Sequence, residues 1–230
     1  MKKQILKRLN KQGFTLVELL VAVGISGVVM AGIYTVYYSQ QKSYIAQEQI
    51  VAMQQNLRAA MFYMEREIRM AGCDPTQNAN PPTPGIQNIG WDAGKNRYTS
   101  FSFTLDITNT AGTGNPDGLV DGPNEDVTYA LADNDGDGDN DLERIGNLIA
   151  ENVDALDFVY LDQDGNPTGT ISQIRSVQVT IVATTGRGDP GYTNTTVYYN
   201  QQDLVNPILA AQNDDLRRRR LTTTIKCRNL

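Results

Sequence analysis

The sequence predicts an α+β fold in which a long N-terminal helix precedes an antiparallel β-sheet. Three observations predict it. Residues 14–38 form an apolar run broken by one charge. Apolar residues then recur at helical spacing as far as Ala71, and beyond residue 97 their period switches to two. With 230 residues, 40% of them hydrophobic, the chain supports one ordinary core in one domain or two small ones.

The helix begins with FTLVELLVAVGISGVVMAGIYTVYY, Phe14 to Tyr38, in which Glu18 is the only charge. About 20 such residues cross a bilayer as one helix. Lys2, Lys3, Lys7, Arg8 and Lys11 precede the run and the next basic residue is Lys42. That bias keeps the N-terminus cytoplasmic and sends the acidic remainder across the membrane. A secretory signal, with roughly 7 to 15 apolar residues, is too short for this run. A plain membrane anchor accounts for the run but not for Glu18, because a carboxylate at membrane depth costs about 2.5 to 3.5 kcal/mol.

The helix continues as an amphipathic stalk. Ile50, Met53, Leu57, Met61, Met64, Ile68 and Ala71 follow one another at spacings of three and four, with Arg58, Glu65, Arg66 and Arg69 elsewhere on the turn. The methionines read as core contacts rather than ligands. Gly72 and then Pro75 end the pattern. At 1.5 Å per residue, 14–71 makes about 87 Å of helix. No proline interrupts it, which leaves Gly24, Gly27 and Gly32 as its softest points.

Residues 74–97, rich in Pro, Gly and Asn, read as an irregular connector. Strands follow at Phe101, Phe103, Leu105 and Ile107; at Val127, Tyr129 and Leu131; and at Leu156, Phe158 and Tyr160. Two more run through Val177, Val179, Ile181 and Ala183, and through Leu221, Thr223, Ile225 and Cys227. One apolar face per strand implies a sheet whose inner face packs on the stalk.

Composition narrows the chemistry. Twenty Lys+Arg against 26 Asp+Glu give a formal net charge of -6, the wrong sign for nucleic acid as the main partner. The absence of histidine excludes Ser-His-Asp and Cys-His catalysis and imidazole-bound zinc. No nucleophile or base accompanies the acidic clusters, so an enzyme is not expected.

Gly13-Phe14-Thr15-Leu16-Val17-Glu18-Leu19-Leu20 after a basic leader resembles the processing signature of type IV pilins and type II secretion pseudopilins. The resemblance implies a pilin-like fold and cleavage by prepilin peptidase between Gly13 and Phe14, with N-methylation of Phe14. Removing 13 residues, five of them basic, leaves 217 and moves the formal charge from -6 to -11 before the new amine is counted. The implied parts are a leader at 1–13, a transmembrane assembly helix at 14–38, a stalk at 39–72 and an extracytoplasmic β-rich domain at 73–230. Cleavage also supplies an amine that can approach Glu18 of a neighbouring subunit, since two buried charges are tolerable when paired. The local alternative is that Thr15 to Glu18 is an S/T-x-x-E capping box.

Glu65 to Gly72, Ile149 to Leu156 and Arg220 to Ile225 with Arg228-Asn229 are similar to PilW-type minor pilins and, less closely, to J-type pseudopilins. This implies a subunit that primes pilus assembly near the tip. Its partners would be other minor and major pilins and the inner-membrane assembly platform. It would reside first in the inner membrane and then in the fibre. A type II secretion pseudopilin and a calcium-stabilised tip adhesin are the alternatives.

Three further features stand apart. Asp133, Asp135, Asp137, Asp139 and Asp141 begin like a D-x-D-x-D-G calcium loop, although position 12 of an EF-hand would be Arg144. The loop therefore reads either as a Ca2+ site, to which Asp117–Asp126 could add ligands, or as a solvated turn. Cys73 and Cys227, in an extracytoplasmic domain, read as a disulfide, with two buried thiols as the alternative. Arg217 to Arg220 form a basic edge that compensates the acidic loops, and Asp162 to Asn166 a hairpin turn.

Overall fold

The computed structural model describes residues 13–77, 85–133, 136 and 138–230. The chain divides into two compact units, Met1–Gln47 and Glu48–Leu230. Helix α1, Leu16–Ile68, begins in the first and ends in the second.

In the first unit α1 is the only regular element among the described residues, and residues 13–45 are exposed throughout. Leu16 is 77% and Val28 75% exposed, so nothing in the described chain covers the apolar run. Ser26 and Thr35 turn their hydroxyls back onto the carbonyls of Ala22 and Ala31, which matches these two polar groups within the helix itself.

In the second unit Met53, Leu57, Ala60, Met61, Met64 and Ile68 of α1 are buried, the stripe expected from the spacing. Gly72 ends the segment at a φ of 78°, and its N–H bonds the Thr104 carbonyl. A side chain at 72 would strain this left-handed conformation and meet the Leu230 side chain.

Among the described residues the sheet has eight antiparallel strands in the order β5-β4-β3-β2-β6-β7-β8, with β1 paired to β2. The strands are β1 (Ile86–Asp92), β2 (Arg97–Thr104), β3 (Asp126–Ala132), β4 (Asp141–Arg144), β5 (Asn147–Ala150), β6 (Val153–Leu161), β7 (Ser176–Thr184) and β8 (Arg218–Lys226). The five longer strands after β1 match expectation, except that Leu105, Ile107 and Cys227 fall outside them. Three do not. The connector is not irregular throughout: residues 86–92 pair with β2 as β1, because the Ala93-to-Asn96 turn, closed by Asp92 Oδ1 on the N–H groups of Gly94 and Lys95, folds them back. Strands β4 and β5 are four residues each, too short to show a period.

Phe101, Phe103, Tyr129, Phe158 and Tyr160 line the inner face in one cluster with the α1 stripe. Phe101 lies 5.2 Å from Phe103, 5.7 Å from Phe158 and 5.4 Å from Tyr160 between ring centroids, offset contacts favoured by aromatic quadrupoles. The outer face of β7 is also buried, contrary to the one-sided pattern. Gln178, Thr180, Val182 and Thr184 are all covered, because residues 185–216 fold back and place Ile208 against Ala155 and Val182.

Beyond β6 the Asp162 carboxylate accepts the N–H groups of Asp164 and Asn166, making the expected turn, and these bonds hold its pKa below the usual range. Two of the four arginines of the basic edge are paired with carboxylates. Arg218 bonds Asp154 and grips both oxygens of Asp214 at 2.5 and 2.6 Å, while Arg217 bonds Asp189 at 2.7 Å and stacks 4.2 Å from the Tyr192 centroid. Burial disfavours the Arg218 charge, but the bonds to Asp214 and Asp154 outweigh it and raise its pKa.

Candidate processing and assembly site

Gly13 to Thr15 are non-helical and α1 starts at Leu16, so the Gly13–Phe14 bond lies just outside the helix, with Phe14 90% exposed. Thr15 is the N-cap. Glu18 N–H donates to Thr15 Oγ1 at 3.2 Å, and Glu18 Oε2 accepts the Thr15 N–H at 2.9 Å and its hydroxyl at 3.0 Å. This is a complete capping box, so within the single chain the local alternative is realised. The carboxylate is nevertheless exposed, on a residue four positions from Phe14, where cleavage would leave an amine.

Residues 8–34 match the prokaryotic N-terminal methylation motif. The segment is type IV prepilin-like. It ends at Tyr34, where the helix changes character: Tyr34 stacks on Tyr38 at 6.4 Å, and Lys42 Nζ sits 4.6 Å from the Tyr38 centroid. Tyr and Lys at one-turn intervals are what a helix carries where hydrocarbon gives way to water. Among the described residues α1 is the one helix long and apolar enough to cross a membrane. No curated protein matches the chain. Among solved structures, a type IV-like pilin from Thermus thermophilus is similar, with 14% identity over 77% of this chain and 96% of that one and a TM-score of 0.43.

The other candidate sites fare differently. Asp135 and Asp137 lie outside the described residues. Asp133 Oδ1 accepts the Gly136 N–H at 2.9 Å, a turn contact. Asp141 is buried at the start of β4, where it accepts the Asn152 N–H at 2.9 Å, so it serves the fold rather than the loop surface. Among the described residues no three His, Cys, Asp or Glu stand together as a metal site.

The expected Cys73–Cys227 disulfide is not formed: both cysteines are free. A backbone bond from Arg228 N–H to the Arg69 carbonyl joins the two segments instead. Burial pushes the Cys227 thiol up to about 11, which keeps it protonated and unreactive at neutral pH.

Two buried ionic groups escaped the sequence reading. Glu67 Oε2 receives Arg144 Nε at 2.8 Å and the Tyr129 hydroxyl at 2.5 Å, and Arg144 Nη1 reaches Asn124 Oδ1 at 2.8 Å. Both charged side chains are 8% exposed. Burial opposes the Arg144 charge, yet the bond and charge of Glu67 raise its pKa; burial and Glu67 together push the Tyr129 pKa up. This triad ties α1 to β3 and β4. A signal was present: Glu67 sits three residues after Met64 on the buried stripe, a charge at a core position.

Glu125 is 1% exposed and accepts four backbone N–H groups, from Ile107, Thr108, Asp121 and Gly122, so it organises the loop at 107–122. Beside it Asp106 is fully buried; Oδ2 accepts the Gly118 N–H at 2.8 Å while Oδ1 has no partner among the described residues. Burial, with the Glu125 charge, outweighs the Gly118 bond and raises the Asp106 pKa. A folded-state pKa above the unfolded value means that the folded chain holds more protons. Stability from this group therefore falls as pH rises from the unfolded value, about 3.9, through the folded one. Asp106→Asn should remove that slope, so melting temperatures across this window should flatten relative to the native chain. A variant equally destabilised at every pH would show that Asp106 has a purely structural role.

Proposed function

We propose that the chain is a minor pilin of a type IV pilus. Prepilin peptidase cuts between Gly13 and Phe14 and methylates Phe14, and the subunit then helps prime fibre assembly near the tip. The observation that carries this is the conjunction at one helix end of the methylation motif with a capped, exposed Glu18 and a wholly uncovered apolar surface. An uncovered run of this length needs lipid before assembly and other subunits after it. Glu18 would exchange its capping contact for the Phe14 amine of a neighbour, which sets an axial stagger. Residues 14–38 would hold the chain in the inner membrane, N-terminus cytoplasmic, with the remainder extracytoplasmic. The function proposed is structural, with other pilins and the inner-membrane platform as partners.

The test is deletion, followed by imaging of surface fibres and assay of exported protein in the same cells. Lost fibres with normal export support a minor pilin. Lost export with intact fibres makes the chain a type II secretion pseudopilin.

The cleavage assignment has its own test. A Cβ at residue 13 would meet nothing within 4 Å, so Gly13→Ala leaves the fold undisturbed and any loss of processing reflects peptidase recognition. The variant should accumulate at full length, and mature-length protein by mass spectrometry would sink the assignment. For the acidic loop we propose calcium bound by Asp133, Asp135, Asp137 and Asp139, whose repulsion a cation would relieve. Millimolar calcium should raise the melting temperature, and an unchanged value removes the metal.

A further inference from the structure

A groove of about 480 Å³ lies between the last turns of α1 and residues 228–229. Phe62 and Met70 supply its apolar surface, and Phe62, 70% exposed, faces away from the buried stripe of α1. Arg66, Arg69 and Arg228 rim it. Arg69 is paired with Glu65, whereas Arg66 and Arg228 make no ion pair among the described residues. Arg144, Arg217 and Arg218 each hold a carboxylate, whereas these two guanidiniums stand together at one apolar groove. Arg66 lies 5.8 Å from the Tyr63 ring centroid and the lining carboxylate of Glu65 is taken by Arg69, so Arg66 and Arg228 present two guanidiniums without a carboxylate partner among the described residues beside an exposed phenyl ring. Guanidiniums bind carboxylates through forked hydrogen bonds, and exposed aromatic residues flanked by arginine are typical interface anchors.

We propose that this groove docks an acidic segment of a partner subunit, whose carboxylates meet Arg66 and Arg228 and whose apolar side chain rests on Phe62 and Met70. Nucleic acid is disfavoured because the chain as a whole is acidic, with a net charge of -6. Exposed ion pairs are individually weak and screened by salt, so the apolar contact supplies the anchor and the charges select the partner.

The proposal rests on the assembly reading for its partner. A photo-crosslinking amino acid replaces Phe62 in the full-length chain in cells, with Gln163, exposed in the turn after β6, as control position. Crosslinked peptides are identified by mass spectrometry. The expected result is an acidic peptide of another subunit captured from position 62 and not from 163. Arg66→Glu with Arg228→Glu should cut its yield by about fivefold or more, the loss of one or two exposed ion pairs. Fibres that contain the chain but yield no crosslink, a peptide without clustered acids, a second copy of this chain, or a yield indifferent to charge reversal would each overturn the groove alone. A chain absent from every assembly would overturn the assembly reading as well.

Discussion

Glu18→Ala should yield a chain that is cleaved and inserted into the membrane yet missing from fibres. Removing the carboxylate costs the capping box, about 1 kcal/mol of helix start. It also relieves about 2.5 to 3.5 kcal/mol of insertion penalty. Insertion is thus no worse, and a loss of assembly must come from a partner that the charge was meeting. Glu18→Gln separates the two roles, because an amide oxygen can still accept the Thr15 N–H but cannot neutralise a neighbour's amine. Processed subunit would be quantified in membrane and sheared-fibre fractions. Normal incorporation of the Gln variant would reduce Glu18 to a cap.

Glu67→Ala should be the most damaging single change in the second unit. It leaves Arg144 buried without its counter-charge and the Tyr129 hydroxyl without an acceptor. Breaking a buried pair from one side costs about 3 to 5 kcal/mol. At about 2 to 4 °C per kcal/mol for a domain of this size, the melting temperature should fall by roughly 6 to 20 °C. Replacing the group together, by Glu67→Leu, Arg144→Met and Tyr129→Phe, should recover most of the loss, because apolar isosteres need no partner. Thermal unfolding of the full chain, followed by near-ultraviolet circular dichroism of the sheet aromatics, measures both. A single variant within 1 kcal/mol of the native chain would show that water already reaches Arg144.

The elements legible in the sequence were those whose neighbours did not matter. Met53, Leu57, Met61, Met64 and Ile68 announce a buried stripe by spacing, and β2, β3, β6, β7 and β8 by alternation. Strand β1 carries no such period, with one buried residue in seven, and it exists because β2 offers it backbone partners. The candidate site divides the same way. Gly13, Phe14 and Glu18 stand out because they lie within a short linear motif, matched over residues 8–34. The fates of Asp141 and Arg144 were not, because the acidic loop reads as one block while β4 draws its last aspartate inward and turns Arg144 toward α1.

The sequence by itself determined the long capped helix, its apolar first half and the strands that follow, since each is a local consequence of period, caps and side-chain solubility. Only the tertiary structure decided which charges are buried together. Glu67 meets Arg144 across 77 residues of chain and Arg218 meets Asp154 across 64, and neither separation carries a local signal. Such pairs form because a buried charge must find its opposite wherever the packed helix and sheet bring one within reach.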